Sequence, residues 1–369
     1  MQRKIQKVYV DKEIFSSPIT KEVLSHFLIT PTIINDSKIV YDDVYDSFDP
    51  IARGKEILYL TENKGSFIRK CPGTRHYHCC GYKILHTGTY CTMDCSYCIL
   101  QQYFHPPLLK YFVNHGDLFG ALENEIFQAP EISRIGTGEY TDSLIWEPIS
   151  SLTPQLVEKF GKQSRAVLEL KTKTVQIDKL KGLSHNRKTI LAWSLNTPRI
   201  IQSDERDTAP LKARLKAART CQSWGYPIAF HFDPIVLYKG CENEYIQVIQ
   251  DIFETISPEN IAWISLGVFR FLPELKTILE TRFFDSKITY GEFIPGMDGK
   301  MRYFKSLRID VCKTIVSAIR KYINPKIIYF CMEDDEIWQE SFGYTPKEYN
   351  GITTMLDQQA QKICQLRKP

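Results

Sequence analysis

With 369 residues, 43 % of them apolar and 24 % charged, the chain has an ordinary globular composition and enough material for a large core. Its 47 basic and 43 acidic residues leave a net charge of +4, too small to argue by itself for nucleic acid. No apolar run approaches the length of a membrane span, the N-terminus lacks the apolar stretch of a secretory signal, and 11 cysteines in such a chain point to reduced thiols in a cytoplasm.

Residues 1–80 read as a separate N-terminal portion, rich in turn formers such as Asn35-Asp36-Ser37 and closing on Cys71-Pro72-Gly73-Thr74. Cys71, Cys79, Cys80, His76 and His78 form a patch near its end. Adjacent Cys79 and Cys80 make poor joint ligands and no Cys-x2-Cys pair accompanies them, so buried or redox-silent thiols are expected there.

From 81 to 285, short β-rich runs alternate with helix-length segments. The strand candidates are Tyr82–His86, Ile132–Gly136, Ala166–Leu170, Thr189–Leu195, Ile228–Asp233 and Ile261–Leu266. Pro154–Ser164, Ala209–Trp224 and Asn243–Ile256 carry apolar residues at helical spacing. The alternation predicts an α/β fold whose parallel sheet has right-handed crossovers and is open or closed into a barrel. In 286–369, Asp298-Gly299 between extended residues predicts a hairpin over 294–303, followed by a helix from Ser306 to Tyr322 and a strand at Ile327–Phe330.

The chemistry is concentrated in Cys91, Cys95 and Cys98, a Cys-x3-Cys-x2-Cys run with Tyr97 before the third thiol. Three thiolates on one loop suffice for three irons of a [4Fe–4S] cube and leave the fourth iron free for another ligand. That spacing is the signature of radical S-adenosylmethionine (SAM) enzymes, where the open iron chelates the methionine end of SAM. Zinc is the competing reading; it would want four ligands in two pairs, with His86 or His105 as the fourth.

The loop follows the first barrel strand, at the rim where strand C-termini gather catalytic groups. Polar residues at the later strand ends should face the same mouth. Gly138 and Glu139, in Gly136-Thr137-Gly138-Glu139, suit a methionine ammonium, with the glycines permitting close approach. Lys173 suits the SAM carboxylate, and Ser194 and Asn196 the ribose or carboxylate. His231 ends the fifth strand and is a candidate for substrate contact, or a satisfied core histidine. Lys300, Arg302 and Tyr303 on the hairpin could wedge and hold damaged DNA, or form a plain solvated turn.

The chain resembles the spore photoproduct lyase family of radical SAM proteins from about Lys70 to Gly343. The matching motifs are Cys-Pro-Gly-Thr (71–74), Cys-Cys-Gly-Tyr (79–82), the cysteine run with Leu100-Gln101, and Gly-Thr-Gly-Glu-x-Thr-Asp-Ser (136–143). Ser-Leu-Asn (194–196), His-Phe-Asp-Pro (231–234), Ser-Leu-Gly-x-Phe-Arg-Phe (265–271) and Asp-Gly-Lys-x-Arg-Tyr (298–303) follow. The resemblance implies a partial (β/α)6 barrel, a [4Fe–4S] cluster and SAM. It also implies an electron donor such as flavodoxin or ferredoxin, a monomer, and damaged DNA as partner. The family's founding reaction repairs 5-thyminyl-5,6-dihydrothymine: a 5′-deoxyadenosyl radical takes hydrogen from C6, the bridge fragments, and a cysteine returns a hydrogen atom.

Two positions depart from that pattern. The donor cysteine of the repair enzymes aligns with Tyr140 in Tyr140-Thr141-Asp142, and Ile99 replaces the tyrosine after the third cluster cysteine, while Tyr97 remains. Tyr97 and Tyr140 are therefore the candidate radical-handling side chains, Tyr140 a slower donor because its O–H bond is stronger than a thiol S–H. Two alternatives stand beside repair: radical modification of a non-DNA substrate, and a cluster-bearing binding module without turnover.

Overall fold

A computed structural model describes residues 5–74 and 76–367. Its centre is an eight-stranded sheet. In spatial order the strands are Ile328–Phe330, Ile261–Val268, Ile228–Ile235, Thr189–Ser194, Ala166–Thr172, Ser133–Gly136, Lys83–Leu85 and Ile68–Lys70. All neighbours run parallel except the last pair. The two edges do not join, so the curled sheet is a partial barrel. Each of the six expected strands is present, and the expected strand at 327–330 extends the sheet beyond the sixth.

These strands read as unbroken apolar runs because helices cover their outer face. Every residue of Thr189–Ser194 and Ile261–Val268 is buried. Helix Cys241–Thr255 shows the matching pattern, burying Tyr245, Val248, Ile249 and Ile252 along one stripe. Leu152–Gly161, Leu211–Ser223 and Lys305–Ile319 bury apolar faces likewise.

The N-terminal segment builds a second sheet, in the order Thr32–Ile34, Lys7–Asp11, Ile57–Thr61, Leu109–Phe112, Gly88–Thr89. Its last two strands come from beyond residue 80, so this sheet crosses the boundary expected there. Val8, Val10, Leu58, Leu60 and Tyr111 form one buried cluster with Tyr90, Cys91, Met93 and Cys95, which places the cysteine loop between the two sheets.

The hairpin forms as Phe293–Pro295 paired with Met301–Tyr303, and Arg270–Phe271 adds a third antiparallel strand. Gly299 turns the chain with φ +75°, a conformation that glycine adopts without strain.

Candidate active site

The cysteine loop is anchored on every side. Asp94–Cys95 pairs antiparallel with Glu205–Arg206, and Ser96 donates its backbone N–H (2.8 Å) to the Asp204 carbonyl and its hydroxyl (2.5 Å) to the Asp204 carboxylate. The Lys55 ammonium donates to the carbonyls of Cys91 (3.0 Å) and Met93. Gln101 caps the far side through the carbonyls of Ser96 (3.0 Å) and Cys98 (3.2 Å), and its own oxygen accepts from Arg282 at 2.6 Å. A loop so cross-tied holds its three thiols in place before any ligand arrives. Burial pushes the Cys91 thiol up to about 12 and raises that of Cys95 well above its ordinary value. Among the described residues no three His, Cys, Asp or Glu side chains converge on a single ion site, and a four-iron cube does not ask them to.

A cavity of about 320 Å³ opens beside this loop at the C-terminal rim of the sheet. Cys91, Cys95 and Cys98 line it together with Tyr97, Gly138, Glu139, Tyr140, Lys173, Ser194, His231 and Lys300. Parallel strands all deliver their C-termini to one edge, so residues scattered over more than 200 positions converge there.

The loop 138–143 is clamped onto the neighbouring strand. Asp142 accepts from the Leu144 N–H (3.0 Å), the Thr172 hydroxyl (2.8 Å) and the Lys173 N–H (2.8 Å). Burial nonetheless raises its carboxyl above the ordinary value. Ser143 accepts from Thr137 (2.8 Å) and from the Lys171 N–H (2.9 Å). Gly138 permits this contact: a Cβ there would lie 2.8 Å from Lys171 Cβ and 2.9 Å from its carbonyl. The hydroxyl of Thr141, a cavity residue only 3 % exposed, has no hydrogen-bond partner.

Charges in the cavity come in partnered sets. Glu139 Oε1 pairs with the Lys171 ammonium, leaving Oε2 open. Burial alone would lower the Lys173 pKa, but Glu205 and Cys95 hold it above its ordinary value, so Lys173 stays cationic beside the cysteine loop. Its ammonium sits 5.7 Å over the Tyr97 ring, whose hydroxyl donates to Glu205. Glu205 is neutralised in turn by Arg214 at 2.5 Å. Deeper in, His231 meets Glu169 at 2.5 Å, and the Trp263 indole donates to the same oxygen at 3.2 Å. Burial works against the Glu169 carboxylate, yet His231 keeps its pKa below the ordinary value. His231 thus faces the cavity with one nitrogen already engaged.

Three expected positions lie elsewhere. Asn196 is fully buried behind the cavity wall, donating to the Pro234 carbonyl (2.8 Å) and accepting from Tyr245 (2.8 Å) and the Thr197 N–H (2.9 Å). Arg302 is 2 % exposed, bonded to Asp298 at 2.9 Å and the Met332 carbonyl at 3.1 Å, with Tyr77 stacked 4.0 Å from its guanidinium. Tyr303 is buried against Phe293, ring centroids 4.2 Å apart. Lys300 reaches the cavity but also meets Asp298 at 3.3 Å.

Tyr140 lines the cavity from inside an aromatic box. Tyr103 stacks on it at 5.6 Å, and His86 and Phe104 meet it edge-on at 4.9 and 5.9 Å. Burial pushes its phenol up to about 12. Sequence reasoning passed over Lys171 as the partner of Glu139, Asp142 as the clamp, and Cys71 as part of the cavity wall. Asp142 and Cys71 each carried a signal, Asp142 in the Gly-Thr-Gly-Glu-x-Thr-Asp-Ser run and Cys71 in Cys-Pro-Gly-Thr.

A family model described as spore photoproduct lyase matches residues 78–330. The spore photoproduct lyase of Clostridium acetobutylicum is 24 % identical over 345 residues, covering 89 % of this chain and 99 % of that protein. That of Geobacillus sp. is 27 % identical over 209 residues, 56 % of this chain and 61 % of that one. A solved structure of spore photoproduct lyase complexed with dinucleoside spore photoproduct shares the fold with a TM-score of 0.77 at 22 % identity, covering 89 % of this chain and 99 % of that one. A variant of spore photoproduct lyase with bound AdoMet and dinucleoside spore photoproduct gives 0.76 at 23 % identity, with the same coverage.

Proposed function

Because the chain belongs to the spore photoproduct lyase family, we propose that it is a radical SAM enzyme acting on spore photoproduct, 5-thyminyl-5,6-dihydrothymine, in DNA. One observation carries the reading: the three thiols of the cysteine run share a cavity with Gly138, Glu139, Lys173 and Ser194. The donor set fits the cofactors. Three thiols on a rigid loop suit a [4Fe–4S] cluster with one open iron, and Gly138, by letting its loop close onto Lys171 and Ser143, sets Glu139 at the cavity. When bound, the cluster and SAM would supply a 5′-deoxyadenosyl radical.

The protein's own part is binding, orientation and exclusion of water. Cys91, Cys95 and Cys98 hold the cluster. Glu139 Oε2 accepts from the SAM ammonium while Oε1 keeps Lys171. Lys173 meets the carboxylate, and the Ser194 hydroxyl the ribose or carboxylate. Asn196 is a positioning residue that ties the Thr189–Ser194 strand end to Pro234 and Tyr245. Tyr97, held by Glu205, flanks Lys173. A low-potential carrier such as flavodoxin or ferredoxin supplies the electron. His231 and Lys300 face the remaining space, where the lesion would sit.

The hairpin favours a second reading, modification of a non-DNA substrate. Its cations Lys300 and Arg302 are spent on Asp298, and Lys305 is spent on Asp334 (3.0 Å) and Glu336 (2.7 Å), which leaves little free charge for phosphates. Anaerobic reconstitution followed by reduction with dinucleoside spore photoproduct separates the readings. Repair predicts about four irons per chain, 5′-deoxyadenosine and thymidine products, all lost in the triple Cys→Ala variant. Stoichiometric zinc without a cluster absorbance would refute the radical chemistry, and 5′-deoxyadenosine without thymidine products would favour the second reading.

A further inference from the structure

Tyr140 stands where the repair enzymes place the cysteine that returns a hydrogen atom, yet one thiol outside the cysteine run does line the cavity. Building on the reading above, we propose that Cys71 is the hydrogen-atom donor of this chain, reaching the substrate radical from the wall formed by residues 71 and 72.

The placement is fixed by backbone. Cys71 follows the edge strand Ile68–Lys70; its N–H donates to the Tyr82 carbonyl at 3.0 Å, and its carbonyl accepts from Gly73 at 2.7 Å. Glu139, the proposed ammonium partner, is close enough to act electrostatically on the thiol, so Cys71 borders the place where the radical would be generated. Burial first, then the Glu139 charge, push the thiol up and keep it as S–H, the form that can give a hydrogen atom. The unpartnered Thr141 hydroxyl, which lines the same cavity, independently marks space for a polar ligand there. No other thiol outside the cysteine run lines the cavity among the described residues: Cys79 is exposed, and the Cys331 thiol is engaged by Arg270 at 3.4 Å. Tyr140 is confined by Tyr103, His86 and Phe104, and its O–H bond is the stronger one.

The step balances. The carbon radical left by fragmentation takes hydrogen from Cys71, so a C–H bond forms as the S–H bond breaks. One electron from the low-potential carrier and one solvent proton then restore the thiol.

Two measurements test this. In apoprotein, labelling of Cys71 by iodoacetamide is followed by peptide mass with and without dinucleoside spore photoproduct. Slowed labelling at Cys71 with an unchanged rate at Cys79 is expected, and equal rates at Cys71 overturn the proposal. In reconstituted protein in heavy water, wild type and Cys79→Ser should give thymidine product carrying one solvent deuterium. Cys71→Ala, and the shape-preserving Cys71→Ser, should lose that product while still forming 5′-deoxyadenosine. Undiminished deuterated product from either Cys71 variant overturns the assignment, and 5′-deoxyadenosine in every sample separates that failure from failure of the cofactor reading.

Discussion

Asp142 is the most exacting place to test how the cavity is held. It touches no proposed ligand; it fastens the 138–143 loop to the strand end that carries Lys173. Asp142→Asn keeps one acceptor oxygen, enough for Leu144 and Thr172, but sets an amide N–H₂ against the Lys173 N–H. Leaving one buried donor unmade costs about 1–3 kcal/mol, so a loss of about 2–3 kcal/mol is expected. Asp142→Ala strands the Leu144 and Lys173 N–H donors, while the Thr172 hydroxyl keeps Thr174 Oγ1 at 3.0 Å as an acceptor, and should cost about 3–5 kcal/mol. Urea unfolding of the apoprotein followed by tryptophan fluorescence reads both values as midpoint shifts at constant slope. Equal losses for the two variants, or losses below about 0.5 kcal/mol, would refute the clamp.

Three further outcomes are expected. Glu139→Ala removes a charge-assisted contact worth about 1.5–3 kcal/mol and should weaken SAM binding about ten- to a hundredfold by calorimetry; unchanged affinity removes the assignment. Burial pushes the Glu147 carboxyl up to about 7 from an ordinary 4.5, so the folded state holds the proton more tightly and stability should fall as pH rises between those values. Glu147→Gln should flatten that fall and exceed wild type in stability near pH 8, which denaturant midpoints across the range would check. Lys300→Ala should lower the slope of log duplex affinity against log salt by about one if the lysine meets a phosphate, whereas Arg302→Ala, breaking a buried pair with Asp298, should destabilise the fold by about 3–5 kcal/mol. A salt series and a urea titration on both variants distinguish these roles.

Much of the fold was legible because buried parallel strands must be apolar on both faces, and Thr189–Leu195 or Ile261–Leu266 can hardly be anything else between two amphipathic helices. The cysteine run was legible because ligand spacing is a local property. What stayed hidden depends on long-range pairing. Cys71 and Tyr82 meet through an antiparallel edge strand too short to announce itself. Asn196 is two residues past Ser194, where alternation alone would keep both on one face, but the strand ends at Ser194 and the chain beyond it carries Asn196 into the interior against Tyr245 and Pro234. The hairpin charges looked like a solvated or DNA-facing set because a cation count does not show which carboxylate lies inside the turn. Asp298, four residues before Arg302, is that carboxylate, and it draws both Lys300 and Arg302 inward.

The cysteine loop begins just after Gly88–Thr89, a strand of the N-terminal sheet, and is stapled by Glu205–Arg206 and Arg282 from the barrel side. It is a seam between two bodies. A ligand that favours the closed seam raises the free energy of opening for both, by mass action. Loading should therefore slow amide exchange in Ile57–Thr61, which packs in one cluster with the loop from the N-terminal side, together with Ser133–Gly136 in the barrel sheet, and oxidative loss should loosen both at once. A protein built this way would be marked for proteolysis by the same event that disarms it.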